Sequence, residues 1–219
     1  MGKALITLII FSLIIQSSSS AKNEEWGVIS EAEWALGPPD DYPEANAIIL
    51  FDRGMMVVDP DNVFFSRHVR MKILNKAGID EIGSNEIIYF EGDKLSKLQA
   101  QTIRRDGTIL KVDKKDIFNK SVSGLNVKTF NFPAMEEGCI VEFYYENKNS
   151  RLIMLDPWFF QGDVYTIYSE FALILDFGFA YSTATINMHG TSQKPTETSI
   201  WTMHDHKGEY PKAFTWKMQ

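Results

Sequence analysis

Hydrophobic and polar residues alternate along most of this chain after Ala47. Between Val63 and Asn75, Val63, Phe65, Val69, Met71 and Ile73 fall on one side, and Ser66, His68, Arg70 and Lys72 on the other. A strand sends successive side chains to opposite faces, whereas a helix would scatter both sets around its axis; the pattern is that of a strand with one apolar face. Val164 to Leu175 repeats it, with Ile167, Phe171, Leu173 and Leu175 together. Val69, Met71, Phe171 and Leu173 are therefore expected in the core. Further strands are predicted over residues 47–51, 55–58, 87–90, 98–104, 108–112, 128–132, 140–146, 181–188 and 199–203. Lys94 to Gln101 is read as strand rather than helix. Pro211 to Gln219 alternates Ala213, Thr215 and Lys217 against Phe214, Trp216 and Met218, again a strand. Asp59-Pro60-Asp61-Asn62 marks a turn, and Asp106-Gly107 signals a two-residue hairpin with positive φ at both central residues. About ten or more closely spaced strands, with no helical spans between them, predict antiparallel pairing. The expected fold is an all-β antiparallel β-sandwich with a short N-terminal helix.

That helix is placed at about Glu31 to Leu36. Ser30 and Glu33 have the capping-box spacing, and Gly37-Pro38-Pro39 stops it. Lys22 to Glu33 is polar and expected to be loosely attached. Ahead of it, Lys3 and the apolar run from Ala4 to Ile15 read as a secretory signal, with a cut after Ala21. The run is shorter than the ~20 residues of a membrane span, which disfavours an uncleaved anchor. The division is thus residues 1–21 signal peptide, 22–45 leader and short helix, and 46–219 β-sandwich, with localisation secreted or periplasmic. The last strand reaches Gln219 without a closing turn, so the sandwich is expected to be cut short there, as a fragment or after loss of a following domain.

Composition adjusts this picture little. A chain of this size buries roughly 70% of its unfolded surface, enough for a core without staples. That is needed, because Cys139 is the only cysteine; 44% hydrophobic and 13% aromatic residues supply the packing. The net charge of −7 argues against nucleic acid or an anionic membrane as partner.

Candidate chemistry is sparse. Cys139 is preceded by Glu136 and Glu137, which raise a thiol's pKa, and it opens an apolar strand; a packing role is expected. His204 and His206, two apart on a strand, would share a face and with His189 could ligate one Zn²⁺, but Asp205, Lys207 and Gly208 mark a solvated turn, so no metal is assigned. His68 is read as a surface group beside Arg67 and Arg70. Asp40-Asp41, Glu136-Glu137 and Asp59 with Asp61 are read as solvated loops. No phosphate-cradling loop or serine elbow occurs in the sequence, and no catalytic residue or cofactor is expected. The aromatic run Trp158, Phe159, Phe160 is different: three neighbours cannot all point inward from one strand, so at least one faces a groove, a loop or a partner. The bland role is a cap over the core; the functional one is a docking surface or a stacking platform for a sugar or peptide.

Three segments, FDRGMMVVDPDNVFFSRHVRMKILN from Phe51, FNFPAMEEGCIVEFYYE from Phe130 and LDPWFFQGDVYTIYSEF from Leu155, carry a family likeness. With Tyr42-Pro43, Arg105-Asp106-Gly107-Thr108 and Asp116-Ile117-Phe118 in the same order, the chain resembles the domain of unknown function that precedes a transglutaminase-like, papain-fold domain in many secreted bacterial proteins. Glu137, Val164-Tyr165 and Asp176-Phe177 depart from prolines common in that family, which adjusts turns only. The resemblance implies an exported, non-catalytic β-sandwich, an interaction or positioning module whose partner is a transglutaminase-like domain in cis or trans. The alternative is a stand-alone carbohydrate- or peptide-binding module using Trp158 to Phe160.

Overall fold

The computed structural model describes residues 26–153, 155–175, 182, 196–199 and 212–218. Helix α1 (Glu31–Ala35) precedes β1 (Ala47–Val58) and β2 (Val63–Ile73), and α2 (Lys76–Ile82) follows. Next come β3 (Asn85–Phe90), β4 (Lys94–Ile103), β5 (Ile109–Lys111), a 3-10 turn at Lys114–Asp116, β6 (Phe118–Val122), β7 (Leu125–Phe130) and β8 (Ile140–Asn149). The chain ends with β9 (Tyr165–Thr166), β10 (Ser169–Leu175), β11 (Thr196–Ser199) and β12 (Lys212–Met218). Nine strands form one sheet in the order β11-β12-β10-β1-β2-β8-β4-β5, with β9 beside β1, and β3-β7-β6 form a second. The protein is mostly β, built as two sheets with few helices.

The expected uniformly antiparallel pairing is corrected: β1 pairs with both β9 and β10 in parallel. β8 ends at Asn149, opposite Val63, and Tyr165 pairs with Ile48 at the opposite end of β1, so the chain between them has crossed back along the sheet. From there the strand can only run parallel to β1. A period of two does not record strand direction.

Residues 47–58 form one strand rather than two, with a bulge between Ile49 and Phe51. The Asp106-Gly107 turn also differs from expectation, since only Gly107 has positive φ, at 87°. Gly107 N donates to Arg104 O at 2.9 Å, and Arg104 N to Thr108 O at 2.9 Å. This longer loop, with its left-handed glycine last, serves where two positive-φ residues were expected. Helix α2 was not foreseen. Its N-cap Asn75 accepts from Gly78 N at 3.2 Å, and a Cβ on Gly78 would lie 2.2 Å from Asn46 O. Glycine in a helix costs about 1 kcal/mol relative to alanine, and here it permits the backbone approach. β11 and β12 agree with the predicted late strands at Ser199 and Lys212–Met218, whereas residues 181, 183–188 and 200–203 lie outside the described residues.

The predicted inward face of β2 packs Val69, Met71 and Ile73 with Val141, Phe143, Phe130 and Phe132 between the sheets. A second cluster on the large sheet joins Met56, Val58, Val63, Leu173, Leu175 and Trp216. Val69, Met71 and Leu173 are buried as expected, but Phe171 is only half-buried, stacked on Trp158 at 5.4 Å and tilted against Trp216 at 6.0 Å. Phe171→Ala is expected to cost roughly 2–4 kcal/mol in urea unfolding; a loss under about 1 kcal/mol would show that the stack contributes little.

Candidate functional site

The segment 155–164 carries Trp158 across the large sheet. Its indole lies on Gly54, where a built Cβ would come within 2.4 Å of the ring, so glycine is required by space rather than by backbone angle. Trp158 Nε1 donates to Ser169 Oγ at 3.2 Å, and the Arg67 guanidinium sits 5.2 Å from the ring centroid. Arg67 Nε and Nη2 donate to the two Asp52 carboxylate oxygens at 2.8 and 2.6 Å, a bidentate pair. Phe160 packs on the second core cluster, so two of the three predicted aromatics cap the core. The third, Phe159, is 72% exposed.

Between this segment and β3 lies a cavity of about 180 Å³. Its walls include Phe65, Tyr89, Tyr145, Trp158 and Phe171, with Asn147 among them. Burial raises the Tyr145 hydroxyl above its ordinary value against the lowering effect of Arg67. The sequence pointed to Trp158 through Phe160 but not to Tyr89, Tyr145 or Asn147, which come from other strands and meet only through the sheet register. Asn147 does face the same way as Tyr145 by strand alternation.

The other face of the large sheet holds a group of charges that includes His68 and Arg70, which the sequence reading placed at the surface. Arg70 and Glu142 are both fully buried and joined by Arg70 Nε and Nη2 at 3.0 and 2.8 Å. Glu142 also accepts from Gln101 Nε2 at 2.6 Å and Gly27 N at 2.6 Å, with His68 Nε2 3.3 Å away. Arg70 Nη1 reaches Val28 O at 3.1 Å and Glu33 Oε1 at 2.7 Å. Lys72 Nζ donates to the carbonyls of Trp34 and Leu36 at 2.5 and 2.6 Å, where α1 ends without a basic residue of its own. Residues 26–36 are thus fastened to the sheet, correcting the expectation of loose attachment; the strand's polar face meets polar groups of the leader instead of water. His68 is likewise largely covered, its ring edge-on to Phe51 at 4.8 Å and tilted to Trp26 at 5.4 Å. The capping box at α1 is present, with Glu33 N donating to Ser30 Oγ and Ser30 N to Glu33 Oε2.

Cys139 is 1% exposed and accepts from Glu136 N at 3.4 Å. Burial, with the Glu136 charge behind it, pushes its thiol above the ordinary value. Such a group is a poor nucleophile at neutral pH. His189, His204 and His206 lie outside the described residues; among the described residues no three or more His, Cys, Asp or Glu side chains gather as metal ligands.

Residues 62–210 match DUF3857, a domain of unknown function with a solved structure. The chain belongs to this family. No curated protein matches it in sequence. Among solved structures, this DUF3857 chain is similar to a candidate protease from Parabacteroides distasonis, with a TM-score of 0.56 at 12% identity, covering 80% of this chain and 35% of that one. Legionella pneumophila aminopeptidase A follows at a TM-score of 0.37 and 10% identity, covering 81% of this chain and 20% of that one. An M1 zinc metallopeptidase from Deinococcus radiodurans gives 0.35 and 7%, covering 80% and 39%. The first likeness establishes a shared fold. The DUF3857 chain spans about a third of the length of that Parabacteroides protein.

Proposed function

We propose that the chain is an exported, non-catalytic module that positions a papain-fold, transglutaminase-like domain, in cis or in trans. The observation that carries this reading is the state of Cys139: the one thiol of the sequence is sealed in the core between the sheets, with its pKa raised. A thiol packed as a core residue is a poor nucleophile, which fits a chain that leaves cysteine chemistry to a partner domain. The likeness of its fold to roughly a third of a larger candidate protease fits a supporting part of a longer molecule. The purified chain is expected to release no ammonia from glutamine peptides and to cleave no peptide substrate. Amidase, transamidase or peptidase activity that disappears in Cys139→Ala would overturn the reading.

A second reading, a binding module using Trp158 to Phe160, is favoured by the aromatic cavity beside Trp158. Glycan-array or peptide pull-down signals that are unchanged in Trp158→Ala count against it. Neither reading gives the chain a cofactor, a nucleic-acid partner or a membrane role beyond its signal sequence.

A further inference from the structure

We infer that residues 26–33 form a latch on the charged face of the large sheet, one that acid releases while the two sheets stay folded. The inference goes beyond the positioning role and does not depend on it.

None of residues 26–36 is itself buried, yet they lie over Arg70, Lys72, Gln101 and Glu142, which are. A helix as short as α1 has no stability of its own, so the fastening is tertiary. Two carboxylates carry it. Glu142 accepts from Gly27 N at 2.6 Å, and Glu33 accepts from Arg70 Nη1 at 2.7 Å. Arg70 Nη1 also donates to Val28 O at 3.1 Å. Ile29 and Trp34 add apolar contact, half-buried against Ala45, Ile48, Leu50 and Ile140. The other two core clusters contain no residue of the segment, so its departure leaves them packed.

Lifting the segment takes Gly27 N from Glu142 and Arg70 from Glu33. In the closed state both carboxyls lie below the ordinary 4.5 despite burial, held there by His68 and Arg70 at Glu142 and by Ser30 and Arg70 at Glu33. The open state therefore binds protons more readily, and acid favours it. The latch is closed above about pH 4.5 and is released as pH falls through the closed-state values.

The neighbouring charges act in the same sense. His68, Arg70 and Lys72 of β2, Arg53 of β1, over the Phe51 ring it shares with Arg70, and Arg105, paired with Glu31, are all cations in acid. Tyr144 of β8, beside His68, stays neutral, its hydroxyl pushed up to about 12 by burial and Glu146. Once Glu142, Glu33 and Glu31 are protonated, these cations repel one another across the seat of the latch. Lys72 limits the movement. Its bonds to the carbonyls of Trp34 and Leu36 involve no titrating acceptor and persist in acid, so residues 26–33 peel away about a fixed Trp34.

The test is NMR of the full chain between pH 6 and pH 3.5, reading amide hydrogen exchange corrected for its intrinsic rate and the NOE between the Trp26 and His68 rings, 5.4 Å apart. The Gly27 amide is expected to lose at least about tenfold in protection, the effect of one charge-assisted hydrogen bond. The NOE fades with it, while the amides of Val69, Met71, Val141 and Phe143 keep their protection. In Glu142→Gln the Gly27 amide is already less protected at pH 6; Glu33→Gln, at a half-buried position, supplies the same comparison if the first variant does not fold. An NOE that survives at pH 3.5, loss of latch and sheet protection at one and the same pH, or unchanged Gly27 protection at pH 6 in either folded variant would each overturn the inference. The pH series on the unaltered chain decides it even if neither variant folds.

Discussion

Glu142→Gln is expected to lower stability by about 3–5 kcal/mol. The carboxylate sits at zero exposure and gathers Arg70, Gln101, Gly27 N and His68. The amide keeps the shape but removes the charge, leaving the guanidinium of Arg70 buried with Glu33 as its carboxylate partner among the described residues. Breaking one side of a buried pair costs more than the pair itself contributes, because the other charge is left less fully compensated. Urea unfolding of the two proteins measures the effect, and a loss under about 1 kcal/mol would mean that the network is energetically idle. The same site gives the stability a pH dependence. Burial by itself raises the Glu142 carboxyl, but the hydrogen bond from His68 and the charge and hydrogen bonds of Arg70 outweigh it, so the folded value lies below the ordinary 4.5. Glu33 is lowered in the same way, by Ser30 and Arg70 against burial. The unfolded chain therefore binds more protons than the folded one as the medium turns acid. The stability these groups contribute is complete above about pH 4.5 and is lost as pH falls through their folded values. Glu142→Gln should flatten that acid limb, which thermal melts between pH 6 and pH 3 would show.

Phe130→Ala is expected to cost about 3–5 kcal/mol, because the ring joins the two sheets. It is 1% exposed, edge-on to Phe132 at 5.6 Å and to Phe143 at 5.8 Å. Phe143 belongs to the large sheet and Phe130 to the small one, so the truncation leaves a void at their junction. β3, which contributes Tyr89 to the aromatic cavity, is attached through β7 and its Phe130. The variant should therefore lose near-UV circular dichroism from the cavity aromatics below its unfolding midpoint. An unaltered spectrum and a loss under about 1 kcal/mol would show that the small sheet is held by other contacts.

Much of the architecture is legible in the alternation of residues, since burial of one strand face leaves a direct imprint on sequence. β2 and β10 show it most plainly. What alternation omits is what the opposite face meets. Ser66, His68, Arg70 and Lys72 look like a solvated face, and only the capping box at Ser30 and Glu33 hints that a helix stands nearby; that this helix and Gly27 complete the charges of β2 requires tertiary information. Strand direction is equally silent, because parallel and antiparallel neighbours share the same period. Helix α2 is short, holds a glycine and lies between two strands, so the propensity signal of its Asn75 cap was too weak to emerge. The candidate site was half visible. Three adjacent aromatics announce themselves, but Tyr89 and Tyr145 meet Trp158 only through the sheet register.

The parallel seam beside β1 also dictates an order of assembly. β1 occupies the middle of the large sheet, yet Asp52 meets its neighbour Ser169 over a hundred residues later along the polypeptide. A hairpin with β2 is available as soon as Ile73 has been made, whereas the opposite edge of β1 stays open until the stretch after Asn149 has doubled back. Pairing at such separation is slow, and an unpaired hydrophobic edge is a surface on which nascent chains adhere to one another. Holdase chaperones acting on this polypeptide would have most to protect along the edge running from Asp52 to Val58.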